Sequence, residues 1–328
     1  MIHSARQTAA RVGATLALLL AVAPAVHAQA TPPHPAGATG TIILAHGGSD
    51  EWNGYVLDIA RSANTGGPIE VSFLMGPAAA SHRFQDAVGK LESQGVQRIV
   101  VVPMLVSSHS GHYEQIRWLA GITDSLDATM HHHLAMAGIE RANPHVPVVV
   151  TPAMDDAPEV ARVLADRALA LATAPTEQAA VLVGHGPNSA ENYADWMANL
   201  RPVADSVKLA TGFRDVLVEL VRDDAPAPVR AEAVTRTREL ISLLARLTNR
   251  DVVVVPVLVS KGRVSREKFM ADLEGLPVVY AGDPLLPHPE LTRWVERRVS
   301  DAAHAASLSR NPAPDSSRAA NASAPRSK

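Results

Sequence analysis

The chain of 328 residues contains no cysteine. Disulfides, zinc–thiolate sites, haem–thiolate ligation and thiol catalysis are therefore excluded. Phe, Trp and Tyr together make up 4% of it, too few for a platform on which bases or sugars would stack. The formal net charge is −3 and there is no basic stripe, so nucleic acid is not an expected partner. What the chain does have is length enough for two ordinary domains without covalent staples. It also has 14 histidines, more than a chain of this size usually carries, and they cluster.

The two ends read as non-domain segments. Arg6 and Arg11 precede an apolar run from Val12 to Val22, and Val26-His27-Ala28 comes next, with small residues at the two positions a signal peptidase reads. This pattern predicts a secretory signal peptide over residues 1–28, cleaved after Ala28. The apolar core is too short for a comfortable membrane span, so no span is expected after cleavage, and the mature protein is expected outside the cytoplasm, periplasmic or secreted. No Arg-Arg pair precedes the run, which favours export unfolded and acquisition of any metal after export. Residues 29–40 read as a Pro/Gly/Ala linker. Residues 301–328, rich in Ser, Ala, Pro, Asn and Arg, read as a disordered tail.

Between these ends one supersecondary plan occurs twice. Thr41-Ile-Ile-Leu-Ala-His46-Gly47-Gly48-Ser49 opens the first half, and Ala180-Val-Leu-Val-Gly-His185-Gly186-Pro187-Asn188-Ser189 the second. A second pair lies at similar distance: Arg98-Ile-Val-Val-Val-Pro103-Met-Leu-Val-Ser107 and Asp251-Val-Val-Val-Val-Pro256-Val-Leu-Val-Ser260. Runs apolar on both faces are what central parallel strands require. The first half reads as strands at 41–45, 68–74, 98–106 and 146–151 with helices at 52–63, 81–94, 113–119 and 157–172. The second reads as strands at 179–183, 207–211, 251–259 and 278–280 with helices at 192–201, 229–247, 266–273 and 288–299. Strands alternating with helices at this spacing predict two similar doubly wound α/β domains, 41–175 and 176–300, facing a cleft. Because each lobe supplies the other's cleft wall, a monomer is expected.

His46 falls at the carboxyl end of a buried strand, where open α/β sheets bind ligands. Ser107-Ser108-His109-Ser110-Gly111-His112-Tyr113-Glu114 leaves the third strand at the same sheet edge. Two or three imidazoles and a carboxylate converging there suit a first-row divalent metal, and neutral imidazole is also a proton acceptor near neutral pH. His46 and His112 are the expected pair, with His109 competing for the second place. Glu114 reads equally as a third ligand or proton relay and as a carboxylate favoured by the first turn of a helix. Met130-His131-His132-His133-Leu134-Ala135-Met136 has no counterpart in the second half. On a helix, His132 and His133 each share a face with Met136; a metal-scavenging patch and a plain polar face stand level.

The strand–His–Gly–Ser opening, the Phe73-Leu74 strand end and the Val-Val-Pro-Met-Leu strand leading to Gly111-His112 resemble the class II tetrapyrrole chelatases, in particular the sirohydrochlorin cobalt or iron chelatases of the CbiX type. The resemblance covers most of 41–172 and, more weakly, 179–299. It implies that His46 and His112 bind an incoming metal above a tetrapyrrole; the expected catalytic residues are these two and, from its place after the third strand, Glu114. It also implies a divalent metal ion, cobalt first, with iron or nickel as alternatives. Where the family commonly carries Glu after the Phe-Leu pair, this chain has Met75, and an internal alignment sets Met75-Gly76-Pro77 against Asp224-Ala225-Pro226. In the second half His185 is kept, but Ser260-Lys261-Gly262-Arg263 holds no second His, so that half reads as a degenerate metal site. There His185, Arg222, Lys261 and Arg263 would meet the carboxylates of an acidic ring, or form a solvated rim. The expectation is a chelatase-like lyase; the alternative is an exported metal- or tetrapyrrole-binding protein without turnover.

Overall fold

Strands that are apolar on both faces can only be central, and two from each half take that place. In the computed structural model, which describes residues 38–310, β1 (Thr39–Ala45) and β3 (Arg98–Met104) are buried from their second residue onward. They are flanked by β2 (Ile69–Phe73) and β4 (Val148–Val150) in an all-parallel sheet of order β2-β1-β3-β4. Parallel neighbours need helical crossovers; α1 (Asp50–Ser62), α2 (Phe84–Ser93), α3 (Gly111–Leu119) and α4 (Ala128–Met136) provide them, and α5 (Pro158–Leu171) follows β4. The second half repeats the topology. β5 (Ala179–Gly184), β6 (Asp215–Leu220), β7 (Val252–Val257) and β8 (Val278–Val279) form a parallel sheet of order β6-β5-β7-β8. Its helices are α6 (Ala190–Thr211), α7 (Ala227–Thr248), α8 (Phe269–Leu273) and α9 (Pro289–Arg310). The signal peptide read over residues 1–28, most of the linker and the tail beyond Arg310 lie outside the described residues.

Two elements depart from expectation. Residues 207–211 are not a strand but the end of α6, which runs unbroken through Pro202. A proline inside a helix costs about 3 kcal/mol, but Trp196, Leu200, Val203, Ala204 and Val207 are all buried at helical spacing, and that apolar face outweighs one lost backbone bond. The helix ends at Gly212, in the left-handed region at φ 71°. The true strand, β6, comes next as an edge strand with alternating burial. The second departure is at the tail: α9 continues to Arg310, so residues 301–310 are helical. Ala302, Ala303, Ala305 and Ala306 are strong helix formers, and Arg297 pairs with Asp301 one turn on at 3.2 Å.

The halves exchange their last helices. α5, which ends the first half, packs on β7 and α6 of the second; α9, which ends the second, packs on β1, β3 and α1 of the first. Trp294 of α9 is fully buried. Between the exchanged helices Arg162 bonds Glu290 at 2.5 Å and Arg297 grips Glu159 at 2.8 Å. One apolar core therefore runs from the first sheet through α5, α6 and α9 to the inner face of β5 and β7, where Ala180, Leu182, Val253 and Val255 contribute. The alternate residues Ala179, Val181, Val252 and Val254 face a smaller core under α7 and α8. This interlock holds the cleft walls in one body.

Candidate functional site

The strand–His–Gly motif sets a protonation state as well as a position. His46 leaves β1, and Gly47 turns at φ 86°, in the left-handed region; a Cβ there would lie 2.3 Å from the Met75 carbonyl oxygen, so only glycine fits. The turn brings the Gly47 carbonyl 2.7 Å from His46 Nδ1. A carbonyl only accepts, so Nδ1 carries the proton and Nε2 presents its lone pair. The second half repeats the device: Gly186 has φ 73°, and its carbonyl lies 2.8 Å from His185 Nδ1.

His112 gets the same orientation from a side chain. Gln115, one turn along α3 and fully buried, donates its Nε2 to the Met130 carbonyl at 2.7 Å. Its Oε1 therefore faces His112 Nδ1, at 2.8 Å, and accepts from it. The His46 and His112 rings meet edge to face with centroids 4.6 Å apart. Burial lowers the pKa of His46. Burial, and then the neighbouring His46, push His112 down to about 4. Burial likewise lowers His185, against the opposing Gly186 hydrogen bond and the charges of Asp224 and Asp223. All three imidazoles are thus neutral near pH 7, with Nε2 available.

They line one cavity of about 320 Å³ between the two sheets. Its jaws are apolar: Met104, Leu105 and Val106 at the end of β3, and Leu258, Val259 and Val264 beyond β7. Trp52 stacks on His46 at 5.7 Å and Trp196 meets His185 edge-on at 5.2 Å; both indoles line the cavity. Asp223 and Asp224 complete the second wall. Asp223 is buried and neutralised by Arg230 and Lys268. Asp224 is exposed to the cavity with no hydrogen bond or ion pair to any described residue. Among the described residues no group of three or more His, Asp and Glu is spaced to hold a metal ion together. The two-imidazole pair stands alone as a sparse ligand set, one that could hold an ion and release it.

The other expected residues are dispersed. His109 points away: its Nδ1 lies 3.3 Å from Asp195 on α6, and its carbonyl accepts from Trp196 Nε1 at 2.8 Å. Glu114 pairs with Arg117 at 3.1 Å and does not line the cavity. Arg222 donates to the carbonyls of Pro187 and Asn188 and lies over the Tyr193 ring at 5.6 Å. Lys261 pairs with Asp283 at 3.0 Å. Of the three cations, only Arg263 lines the cavity, with His185. Met75 packs against the core rather than into the site. The internal alignment also shifts by one. Met75 N donates to the His46 carbonyl at 2.9 Å and Asp223 N to the His185 carbonyl at 2.8 Å. By this shared backbone bond Asp223, not Asp224, stands where Met75 does, with Arg222 at φ 52° as an extra residue just before it. Gln115 was not anticipated; its signal was its place three residues after His112 on a helix.

With this geometry in hand, the comparisons with known proteins are specific. Residues 40–171 match the CbiX family model. That stretch is CbiX-like. It contains both imidazoles of the pair and the Gln115 that orients one of them. Two solved structures share the whole fold. One is SirB from Bacillus subtilis with Fe³⁺, 15% identical, TM-score 0.58, covering 84% of this chain and 98% of that one. The other is the sirohydrochlorin chelatase SirB from Bacillus subtilis subspecies spizizenii in complex with cobalt, 16% identical, TM-score 0.53, covering 81% and 95%. At these identities the likeness establishes the two-lobed fold beyond the CbiX-like half. No curated protein matches the chain.

Proposed function

We propose that this protein is a metal chelatase that inserts a divalent ion into a sirohydrochlorin-type tetrapyrrole held in the cleft. One observation carries the reading: two neutral imidazoles, each with Nδ1 committed and Nε2 free, meet at the floor of a cleft with two apolar jaws. Flat apolar walls suit the faces of a macrocycle. Insertion strips water from the metal and removes two protons from pyrrole nitrogens. His46 and His112 hold the ion weakly, which allows four ring nitrogens to take it over. The metal is substrate here: cobalt first, iron or nickel as alternatives. Arg263 and His185 would meet ring carboxylates from the second half.

Binding without turnover is the second reading, and one observation favours it. Imidazoles whose pKa is pushed well down are weak proton acceptors, and of the carboxylates lining the cavity only Asp224 is free of described partners. Anaerobic incubation with sirohydrochlorin and Co²⁺, then absorption spectroscopy, separates the two. A metallated-ring spectrum that exceeds the protein in amount is the expected result; a spectrum limited to the amount of protein supports binding alone.

The N-terminal sequence supports an exported, periplasmic or secreted protein working as a monomer. No helix among the described residues is long and apolar enough to cross a membrane. Amino-terminal sequencing of the protein from a membrane-bounded extracellular or periplasmic fraction should begin at Gln29. Recovery of the full-length chain from the cytoplasm would count against export.

A further inference from the structure

The histidines of α4 are not used by the site described above, yet they adjoin it. Gly111, the residue before His112, has no side chain, and a Cβ there would lie 3.0 Å from the Met130 sulfur; α4 is thereby seated against the start of α3. The Met130 carbonyl holds Gln115, which holds His112. His133 is near enough that its charge acts on both His46 and His112. Its Nδ1 is buried with no hydrogen-bond partner among the described residues. It does not line the ring cavity. Outward from it, His131 and His132 are exposed, the former edge-on to Trp118 at 5.2 Å. Met136, one turn on from His133, is 76% exposed.

We infer that α4 carries a metal-uptake site centred on His133, which takes a first-row divalent cation from solvent and passes it to His46 and His112 from the side the ring does not occupy. An orphaned imidazole nitrogen between exposed histidines and a neutral imidazole pair is a place a cation would satisfy. Transfer is sequential, since no three ligands are placed to hold the ion at once. The geometry also answers an ordering problem. A macrocycle filling the cleft covers the pair from above, so a metal arriving second needs another approach. This inference rests on reading His46 and His112 as the metal pair.

The test uses the full chain and Co²⁺ alone, so it does not depend on ring insertion. Calorimetry on His46→Ala/His112→Ala should show one residual, weaker Co²⁺ site, lost when His133→Gln is added. In the otherwise unchanged chain, His133→Gln should slow stopped-flow loading of the pair about tenfold, with the pair's own final occupancy and affinity unaltered. His131→Ala/His132→Ala/His133→Ala should slow it further. An equal loading rate in these variants, folded by circular dichroism, would overturn the inference, as would a double-alanine protein that binds no Co²⁺. A site that keeps full affinity in the double-alanine protein and vanishes only with His133 would overturn the reading of the pair and leave the α4 site standing.

Discussion

The two halves of this molecule use the same backbone device and differ in the loop that leaves the third strand. His46–Gly47 and His185–Gly186 are alike in turn, hydrogen bond and exposed Nε2. After β3, Gly111-His112 starts an α-helix capped by Ser110, and Gln115 locks the second imidazole. After β7, Gly262-Arg263 leads instead into a π-turn at Val264–Lys268, with a cation where the second imidazole would stand. On the proposed function, one half holds the metal and the other faces what the metal enters. A repeated fold can divide labour by changing a single loop while the strand ends that frame the site stay fixed.

The comparison is most severely broken by parting the halves. Trp294 of the exchanged helix is fully buried against the opposite sheet. Trp294→Ala should cost roughly 3–5 kcal/mol, read as a lower urea midpoint, and should loosen both halves together in one transition. Two separate transitions would show that the lobes are independent. Within an intact fold, His46→Ala/His112→Ala should abolish specific Co²⁺ binding in the cleft, checked by calorimetry. Gln115→Leu leaves both ligands but frees the His112 ring, and should weaken Co²⁺ about 10–100-fold. His185→Ala should leave Co²⁺ binding largely intact while weakening a metal-free acidic tetrapyrrole by roughly ten- to a hundredfold, one lost bond to a charged group. If Co²⁺ binding collapses there instead, the division between halves is wrong.

The pH dependence sharpens the same contrast. Because burial and His46 hold the His112 pKa at about 4, its neutral, metal-binding form persists into acid. Co²⁺ affinity should therefore hold as pH falls from about 7 to about 5, whereas an ordinary exposed imidazole site weakens from about pH 6.5 downward. A titration that loses affinity around pH 6.5 would show that the pair is solvated. The smallest effect expected is a gain: Arg263→His supplies the second half with its missing imidazole, and should add one weak Co²⁺ site to the cleft wall of that half.

Much of this was legible in the residues. The repeated strand–His–Gly and Val-Val-Pro runs specify two parallel sheets, because apolarity on both faces admits no other place for β1, β3, β5 and β7. The pair His46 and His112 is implied by strand ends meeting at one edge. Elsewhere tertiary packing overrode local signals. Pro202 marks a helix end by propensity, yet the buried face around Trp196 and Val207 carries α6 past it. The exchange of α5 and α9 leaves no local trace, since each is an ordinary amphipathic helix. Charge patterns were the least informative. Arg222, Lys261 and Glu114 all have local partners that spacing does not reveal, and only Arg263 of the expected cations faces the cavity.

The central claim, that the metal is held by the CbiX-like half and not by its twin, comes down to one titration. Co²⁺ is added under calorimetry to the unaltered chain, to His46→Ala/His112→Ala and to His185→Ala. The account predicts the same tight cleft site in the first and third proteins and its loss in the second. A tight site that survives loss of His46 and His112, or disappears with His185 alone, would contradict it.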